Sequence, residues 1–262
     1  MMTNEDYARL RTAHNQLEGK SLAMKLASKV GVPIESLMKM LPAKAQQTIS
    51  VAVNRALEKC LDVALMDPRQ ATTSVRSQRI HTVTAGAAGA IGGFFGLAGL
   101  AVELPVSTTV MLHSITEIAR SHGEDLSRPE GVLACLEVFA LGTDGMPTSA
   151  TDSAYYATRA ALAQVTRDAA THIAQRGMSA EGAPALVAFL SRIAARFGIE
   201  VSEKAAAQLV PVAGAVGGLA LNVLFTQHFQ KLADGHFTVR SLERKYGQEQ
   251  TRSAYQQLRA SS

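Results

Sequence analysis

Two long stretches without a charged side chain limit what this chain can fold into. Residues 80–102 and residues 205–230 contain no Lys, Arg, Asp or Glu. In the first stretch, the glycines that recur at every third or fourth position are Gly86, Gly89, Gly93, Gly96 and Gly99. This spacing places them on one face of a helix. The motif AGAIGG of the first stretch returns as AGAVGG in the second, which predicts two similar glycine-rich helices that pack together.

Such a glycine face needs a close contact to compensate for it, because each glycine inside a helix costs about 0.5–1 kcal/mol relative to alanine. Residues 80–102 are long enough to cross a bilayer, which takes about 20 apolar residues. Too few of them are strongly hydrophobic to make a permanent span favourable, and no aromatic belt flanks either stretch. A glycine-rich ligand loop would need a G-x-G-x-x-G motif, which is absent. We therefore favour a buried helical hairpin over a membrane span or a ligand loop.

The rest of the chain has the periodicity of amphipathic helices. One apolar stripe at helical spacing consists of Ile49, Val53, Leu57, Cys60 and Ala64. Pro129 and Gly142 are expected to bound one helix, and Thr238 and Gly247 another. Residues 141–152 are expected to form an exposed loop. No segment alternates with the period of a strand. The fold class predicted is all-α, with a single helical domain in which amphipathic helices wrap a central glycine-rich hairpin.

The charge distribution divides the chain into three parts. Residues 1–79 carry 12 Lys or Arg against 7 Asp or Glu, whereas residues 120–262 carry 14 against 13. We interpret residues 1–79 as basic amphipathic helices, residues 80–250 as a helical core, and residues 251–262 as a C-terminal tail. The basic residues are scattered, which is not typical of nucleic-acid binding but is compatible with attraction to an anionic membrane surface.

The compartment expected is the cytoplasm, with attachment to the inner face of the membrane as an option. The polar start MMTNEDYARL has no apolar core of a signal peptide. Cys60 and Cys135 lie in apolar helical sequence and are expected to be buried thiols in a reducing compartment.

Several blocks, taken in order, resemble the EcsC family of bacterial proteins. They are GGFFGLAGLAVELPVSTTVMLHSITEIARSHGEDL, LACLEVFALG, AYYATRAALA and VSEKAAAQLVPVAGAVGGLALNVLFTQHFQKLADGHFTVRSLERKYG. Together they span roughly residues 80–250. The family is named after a protein encoded beside an ABC transporter, so the resemblance implies a helical protein in the cytoplasm or attached to the membrane. No activity follows from it. His113 stands where members often carry a basic residue, so the resemblance implies no fixed cation at this position.

Glu103 is the most informative single residue of the sequence. It is the first charged residue after residues 80–102, and Pro105 follows closely. The ordinary expectation is a first-turn acid of the next helix, where a carboxylate is favoured by the helix dipole and Pro105 fits. The alternative is a buried or functional carboxylate, for which Arg120 and Lys204 are the candidate cations.

Downstream of Glu103, His113, Glu117, Arg120 and Glu124 step along one helical face. His113 and Glu117 could bind a metal and Arg120 an anion, but the ordinary explanation is a solvated face with spaced ion pairs. No HExxH motif or cysteine–histidine cluster is present, so neither a metal site nor a cofactor is predicted.

Other polar candidates lie nearer the C-terminus. Tyr155 and Arg159 share a helical face and can stack or hydrogen-bond. His228 and His236 straddle Gly235 and are expected on different elements. The complete set of candidate binding residues is Gly89, Gly93, Gly96, Phe94, Phe95, Glu103, Arg120, Tyr155, Arg159, His228 and His236.

The function we expect is non-enzymatic: an adaptor or regulatory protein at the membrane that binds lipid or a membrane protein, with a link to a transporter implied only by the family resemblance. One alternative is a lipid or ester hydrolase that uses Glu103, His113 and Glu117, which requires these side chains to converge in a cleft. The other is a binder of fatty acids or small apolar molecules, with a pocket lined by Phe94, Phe95 and Phe225. Oligomeric state and partner identity do not follow from the sequence.

Overall fold

The computed structural model describes residues 2–65, 96–142, 153–176, 183–209 and 217–260. These ranges contain ten α-helices, one 3-10 turn and no strand, which confirms the all-α class. The helices are α1 Asn4–Leu17, α2 Leu22–Val30, α3 Ile34–Met38, α4 Ala43–Leu65, α5 Gly96–Ser121, α6 Pro129–Glu137, α7 Ala154–Arg176, α8 Pro184–Ala207, α9 Gly217–Tyr246 and α10 Gln248–Ala260. The 3-10 turn Val138–Ala140 continues α6.

Helices α5 and α9 lie side by side and run in the same direction. Gln230 Nε2 on α9 donates to Ser114 Oγ on α5 at 2.8 Å. Further along both chain segments, His122 Nε2 lies 2.8 Å from Asp234 Oδ1. The contacts advance together, so both helices begin at one end of the domain and finish at the other. The first charge-free stretch includes the first seven residues of α5, and the second includes the first fourteen residues of α9.

The apolar stripe predicted for α4 is confirmed. Ile49, Val53, Leu57 and Cys60 are buried in the core, and Ala64 at the end of the helix is partly buried. Cys135 is buried as well, and both thiols are free. Burial raises the pKa of the Cys60 thiol to about 12, so this thiol is protonated and unreactive at neutral pH.

The predicted helix ends at Gly142 and Gly247 are confirmed, because both residues adopt the left-handed conformation, with φ of 81° and 88°. The predicted start at Thr238 is wrong. Helix α9 runs without a break from Gly217 to Tyr246 and buries Thr238 in its interior. His228 and His236 therefore lie on one helix, not on two elements as the sequence suggested.

Gly235 does not interrupt α9, although the sequence had suggested a break there. It lies where α1 crosses α9. A Cβ at this position would lie 2.9 Å from Leu17 Cγ and 3.1 Å from the Ala13 carbonyl oxygen, both on α1. Contacts this short are not tolerated by a methyl group without displacement of one helix. The missing side chain thus lets α1 pack directly on the backbone of α9.

The N-terminal helices and the C-terminal residues share one core with the rest. The buried cluster extends from Leu10 in α1 to Leu258 in α10, and Tyr255 of the expected tail is completely buried. Asp6 of α1 accepts hydrogen bonds from Lys245 Nζ at 2.6 Å and Tyr246 Oη at 2.7 Å. The described residues of 1–79 and 251–262 therefore pack into the same core as the rest of the domain.

Part of the glycine-rich prediction lies outside the described residues. Gly89, Gly93, Phe94 and Phe95 fall there, as do residues 143–152 of the expected loop, whereas Gly96 begins α5. Among the described residues, no helix combines the length and the hydropathy that a membrane crossing requires.

The crossing at Gly235 generates a stability prediction. Gly235→Ala should lower the free energy of unfolding by about 1–3 kcal/mol, because the new methyl group overlaps α1. The matched control is Gly198→Ala in α8, where a Cβ would have no neighbour within 4 Å. That variant should gain about 0.5–1 kcal/mol from the higher helix propensity of alanine. Urea unfolding measures both values, and equal effects of the two variants would contradict the crossing.

Candidate functional site

Glu103 pairs with Lys204. The Lys204 Nζ atom lies 3.3 Å from Glu103 Oε1, and the side-chain exposure is 2% for Lys204 and 39% for Glu103. The ammonium also lies 4.9 Å from the centre of the Phe225 ring, within cation–π range. Burial lowers the pKa of Lys204, and the Glu103 carboxylate opposes that shift. Of the two candidate cations, Lys204 is the one that the structure brings to Glu103.

The expectation that Glu103 lies in the first turn of a helix is wrong. Helix α5 begins at Gly96, so Glu103 lies in its interior and Pro105 is inside the helix. The carbonyl groups around the proline receive side-chain donors. Thr109 Oγ1 bonds the Pro105 carbonyl oxygen at 2.7 Å, and Ser107 Oγ bonds that of Leu104 at 3.2 Å. Hydrogen bonds from Ser and Thr hydroxyls to carbonyl groups of the preceding turn are typical of these residues inside a helix and often bend it.

Glu103 and Lys204 each lie at a boundary of one of the charge-free stretches. Glu103 is the first charged residue after residues 80–102, and Lys204 is the last before residues 205–230. The ion pair therefore joins one end of each charge-free stretch. Because α5 and α9 run in the same direction, the two stretches enter the described domain at the same end.

A second buried polar group lies one turn earlier on α8. Glu200 Oε2 lies 3.5 Å from His228 Nε2, and both residues are almost completely buried. On the other side of the imidazole ring, Lys25 Nζ lies 2.9 Å from His228 Nδ1. The carboxylate and the ammonium flank one imidazole, so three helices meet in a charge-balanced contact.

Tyr155 and Arg159 are in contact, and His236 joins them. Arg159 Nη1 donates to Tyr155 Oη at 3.3 Å, and Tyr155 Oη lies 3.0 Å from His236 Nδ1. Arg159 also forms a bidentate pair with Glu243, with distances of 2.7 and 2.9 Å. Burial lowers the pKa of His236 well below its usual value, which keeps the ring neutral. The candidates Tyr155, Arg159 and His236 thus form one network with Glu243.

A cleft of about 320 Å³ opens beside this network, where the turn after α5 meets the ends of α6 and α9. Its lining residues are Gly123, Glu124, Asp125, Arg128, Glu130, Gly131, Arg159, Arg240, Glu243, Arg244 and Gln248. Glu124 accepts hydrogen bonds from both Arg240 and Arg244. Burial acts to raise the pKa of Glu124, but the two arginines hold it below the usual value.

The residues of the hydrolase alternative do not converge. Glu103 and His113 are ten positions apart on α5, which separates them by about 15 Å along the helix axis. His113 Nε2 lies 3.2 Å from Glu117 Oε1 in a partly exposed pair, and Arg120 is exposed. The helical face ends at Ser121, so Glu124 does not continue it. Within the described ranges, no three potential metal ligands lie together.

The described part of the apolar-pocket alternative is packed. Phe225 contacts Phe197 and Phe229, with ring centres 6.2 and 5.1 Å away. Its ring therefore fills the core, while Phe94 and Phe95 lie outside the described residues.

Sequence reasoning missed Glu200, Arg240 and Glu243. A signal for Glu243 and Arg240 was present. Phe229, His236 and Glu243 recur every seventh residue along the buried face of α9, and Arg240 lies one helical turn after His236 on that face. Charged residues on the core side of a helix indicate partners on other helices. Extending the apolar stripe through the charged C-terminal half of α9 would have found them.

Comparison with known proteins gives a family but no characterised relative. Residues 5–242 match the model of the EcsC protein family. The match includes the N-terminal helices that the sequence analysis set apart, in agreement with their place in the common core. No curated protein and no solved structure matches the chain.

Lys204 is buried much more deeply than Glu103, so the loss of either partner should have a different cost in stability. Glu103→Gln should cost about 1–3 kcal/mol, because it leaves an ammonium in the core without its countercharge. Lys204→Met should cost less, because the core then receives an apolar side chain of similar length and Glu103 remains partly hydrated. Glu117→Gln on the same helix is the control and should change stability by about 0.5 kcal/mol or less. Thermal and urea unfolding report the three values, and a larger loss for Lys204→Met would refute the argument.

Glu137, which lies behind the cleft, generates a pH prediction. Burial raises its pKa above the ordinary 4.5, although a hydrogen bond from Thr166 opposes the shift. A carboxyl group whose pKa is raised by folding stabilises fully below its unfolded pKa and loses that contribution as pH rises. The test compares the unfolding free energies of the wild type and of Glu137→Gln from pH 4.5 to neutrality. As pH rises over this range, the wild type should lose stability relative to the variant. A difference that is constant or moves the other way would contradict the assignment.

Proposed function

The chain belongs to the EcsC protein family, and we propose that it is a non-enzymatic adaptor that attaches to a membrane surface. The attachment uses the end of the domain where Glu103 and Lys204 bring the boundaries of the two charge-free stretches together. The observation that carries the proposal is the contact between Glu103 Oε1 and Lys204 Nζ at 3.3 Å. It brings together the boundaries of two segments that the sequence had marked as charge-free.

The first support is electrostatic. From Glu103 toward the N-terminus and from Lys204 toward the C-terminus, the chain continues for more than twenty residues without a charge. Moving a charged side chain into an apolar medium is costly, whereas an apolar segment gains from the same transfer. The two charge-free stretches themselves can therefore contact the acyl region of a bilayer without taking a charge out of water.

Exposed apolar side chains add to this support. Val223 in the first part of α9 is 46% exposed, and Leu209 just after α8 is also exposed. Both belong to the second charge-free stretch. Their exposed area would be removed from water at a membrane interface, which favours attachment.

Electrostatic attraction supplies a second, weaker contribution. The basic excess of residues 1–79, 12 cations against 7 anions, would be attracted to anionic headgroups. Each cation near such a surface contributes about 1 kcal/mol, and salt screens the effect. Binding by apolar contact plus scattered charge is the mode of a peripheral protein.

The adaptor reading is favoured over an enzyme because the buried polar groups bind one another. Arg159 is held by Glu243 and Tyr155, Glu124 by Arg240 and Arg244, and Lys204 by Glu103. Apart from the Arg159–Tyr155 contact within α7, each of these contacts joins different helices or a helix and the turn after α5. Such a network fixes the positions of helices and keeps a surface in one shape.

Flotation with lipid vesicles tests the proposal. The full chain should bind vesicles of anionic lipid more strongly than neutral ones, and added salt should weaken binding without abolishing it. Val223→Asp should reduce binding about tenfold or more, because a carboxylate near the acyl region is costly. Val187→Asp is the matched control, since this valine is 55% exposed on α8 outside both charge-free stretches.

The two variants separate this proposal from non-specific adhesion. Equal binding by Val223→Asp and Val187→Asp would contradict contact through the charge-free end. Binding that high salt abolishes completely would leave only the electrostatic contribution. Failure of the wild-type protein to float with either kind of vesicle would refute membrane attachment.

A further inference from the structure

The cleft at the other end of the domain has the chemistry of a ligand site. Helix α5 places about 27 Å between Glu103 and its last residue Ser121, so the cleft lies far from the Glu103–Lys204 pair. Its volume of about 320 Å³ falls within the range of small-molecule sites. The Glu103–Lys204 end and the cleft are separate features, so a ligand can bind the cleft whether or not the domain is attached to a membrane.

Hydrogen-bond donors exceed acceptors on the inner wall of the cleft. Arg240 donates to Glu124 through Nε and Nη2. Arg244 donates through Nη1 to Glu124 and through Nη2 to the His122 carbonyl oxygen. A guanidinium carries more N–H donors than these bonds use, so both arginines can also bind a ligand oxygen. An acceptor-rich group fits this wall.

The charges of the inner wall favour an anion. Arg159, Arg240 and Arg244 face only two carboxylates there, those of Glu124 and Glu243. Behind this wall, burial raises the pKa of Glu137 and favours its neutral form, which reduces its ability to offset the excess. One positive charge is therefore left over on the inner wall.

The rim of the cleft has the opposite character. Asp125 and Glu130 line it together with Arg128, whose Nε lies 3.7 Å from Glu130 Oε2. Two acids against one base would repel a ligand with several negative charges. The cleft thus fits a ligand with a single anionic group directed inward.

The turn that forms one wall is closely packed. A Cβ on Gly131 would lie 2.1 Å from the Asp125 carbonyl oxygen, so this position accepts no side chain. Gly123 has a φ of 73°, and a Cβ there would lie 3.9 Å from Arg244 Nη2. A wall fixed in this way is already formed before a ligand arrives, which reduces the entropic cost of binding.

We propose that this cleft binds a small ligand through one phosphate or carboxylate group, held by the guanidinium groups of Arg240 and Arg244. Charge-assisted, bidentate contacts of this kind are the usual way in which arginine recognises these oxyanions. Arg159 and Glu243 complete the inner wall beside them, and the rim acids exclude polyanions.

Calorimetric titration of the full chain with inorganic phosphate, at constant ionic strength, tests the site. Binding should saturate with one phosphate per chain. Arg244→Gln should weaken the affinity about tenfold or more, because it removes a charge-assisted contact. Glu124 retains Arg240 in this variant, so the fold should persist, which circular dichroism checks. The control is Arg192→Gln, which removes the same charge from an exposed position on α8 and should change the affinity less than about twofold.

Several results would overturn the site. They are no saturable heat with wild-type protein, equal losses in the two variants, or binding of triphosphate in preference to phosphate. If Arg244→Gln fails to fold, Arg128→Gln at the exposed rim replaces it and should still weaken binding, while unchanged affinity would refute the site. Vesicles of phosphatidylglycerol distinguish the source of the oxyanion. Competition between vesicles and phosphate at the wild-type cleft indicates a lipid headgroup, and independent binding indicates a free ligand.

Discussion

The packing of this domain depends on how it compensates the buried charge of Lys204. The Lys204 side chain is only 2% exposed, so its ammonium group has lost most of its hydration and needs a countercharge. Glu103 supplies that charge from α5, and Phe225 on α9 supplies its ring face. One side chain of α8 thereby fixes the other two helices where the first charge-free stretch ends and the second begins. The proposed membrane-binding end exists because these three helices meet there.

The same principle repeats along α9. His228 contacts Glu200 and Lys25, and further along the helix Glu243 holds Arg159. His228 and Glu243 thus each have their partners on other helices. Apolar packing alone tolerates small shifts between helices, whereas a buried ion pair loses its compensation when the helices slide. The polar contacts thus help to set the relative positions of the helices, and at the far end they shape the cleft.

The elements that depend on local chemistry could be predicted from the sequence. The stripe of α4 follows from periodicity, and the turns at Gly142 and Gly247 follow from the left-handed conformation that glycine adopts easily. Glu103 and Gly235 could not be placed, because their roles are set by other helices. Pro105 suggested a helix start, but α5 continues through it while packed on α4. The partners of the buried acids lie far away in the sequence, so spacing alone did not identify them.

The central claim is that the end with Glu103 and Lys204 contacts the acyl region of the bilayer, while the cleft at the opposite end stays outside that region. Attaching a fluorophore to Val223→Cys or to Arg128→Cys tests it, since the native Cys60 and Cys135 are buried and should not react. On vesicles that contain brominated lipid, the account predicts quenching of the label at position 223 and none at position 128. Quenching at position 128 instead, or at neither position on protein that floats with the vesicles, would contradict it.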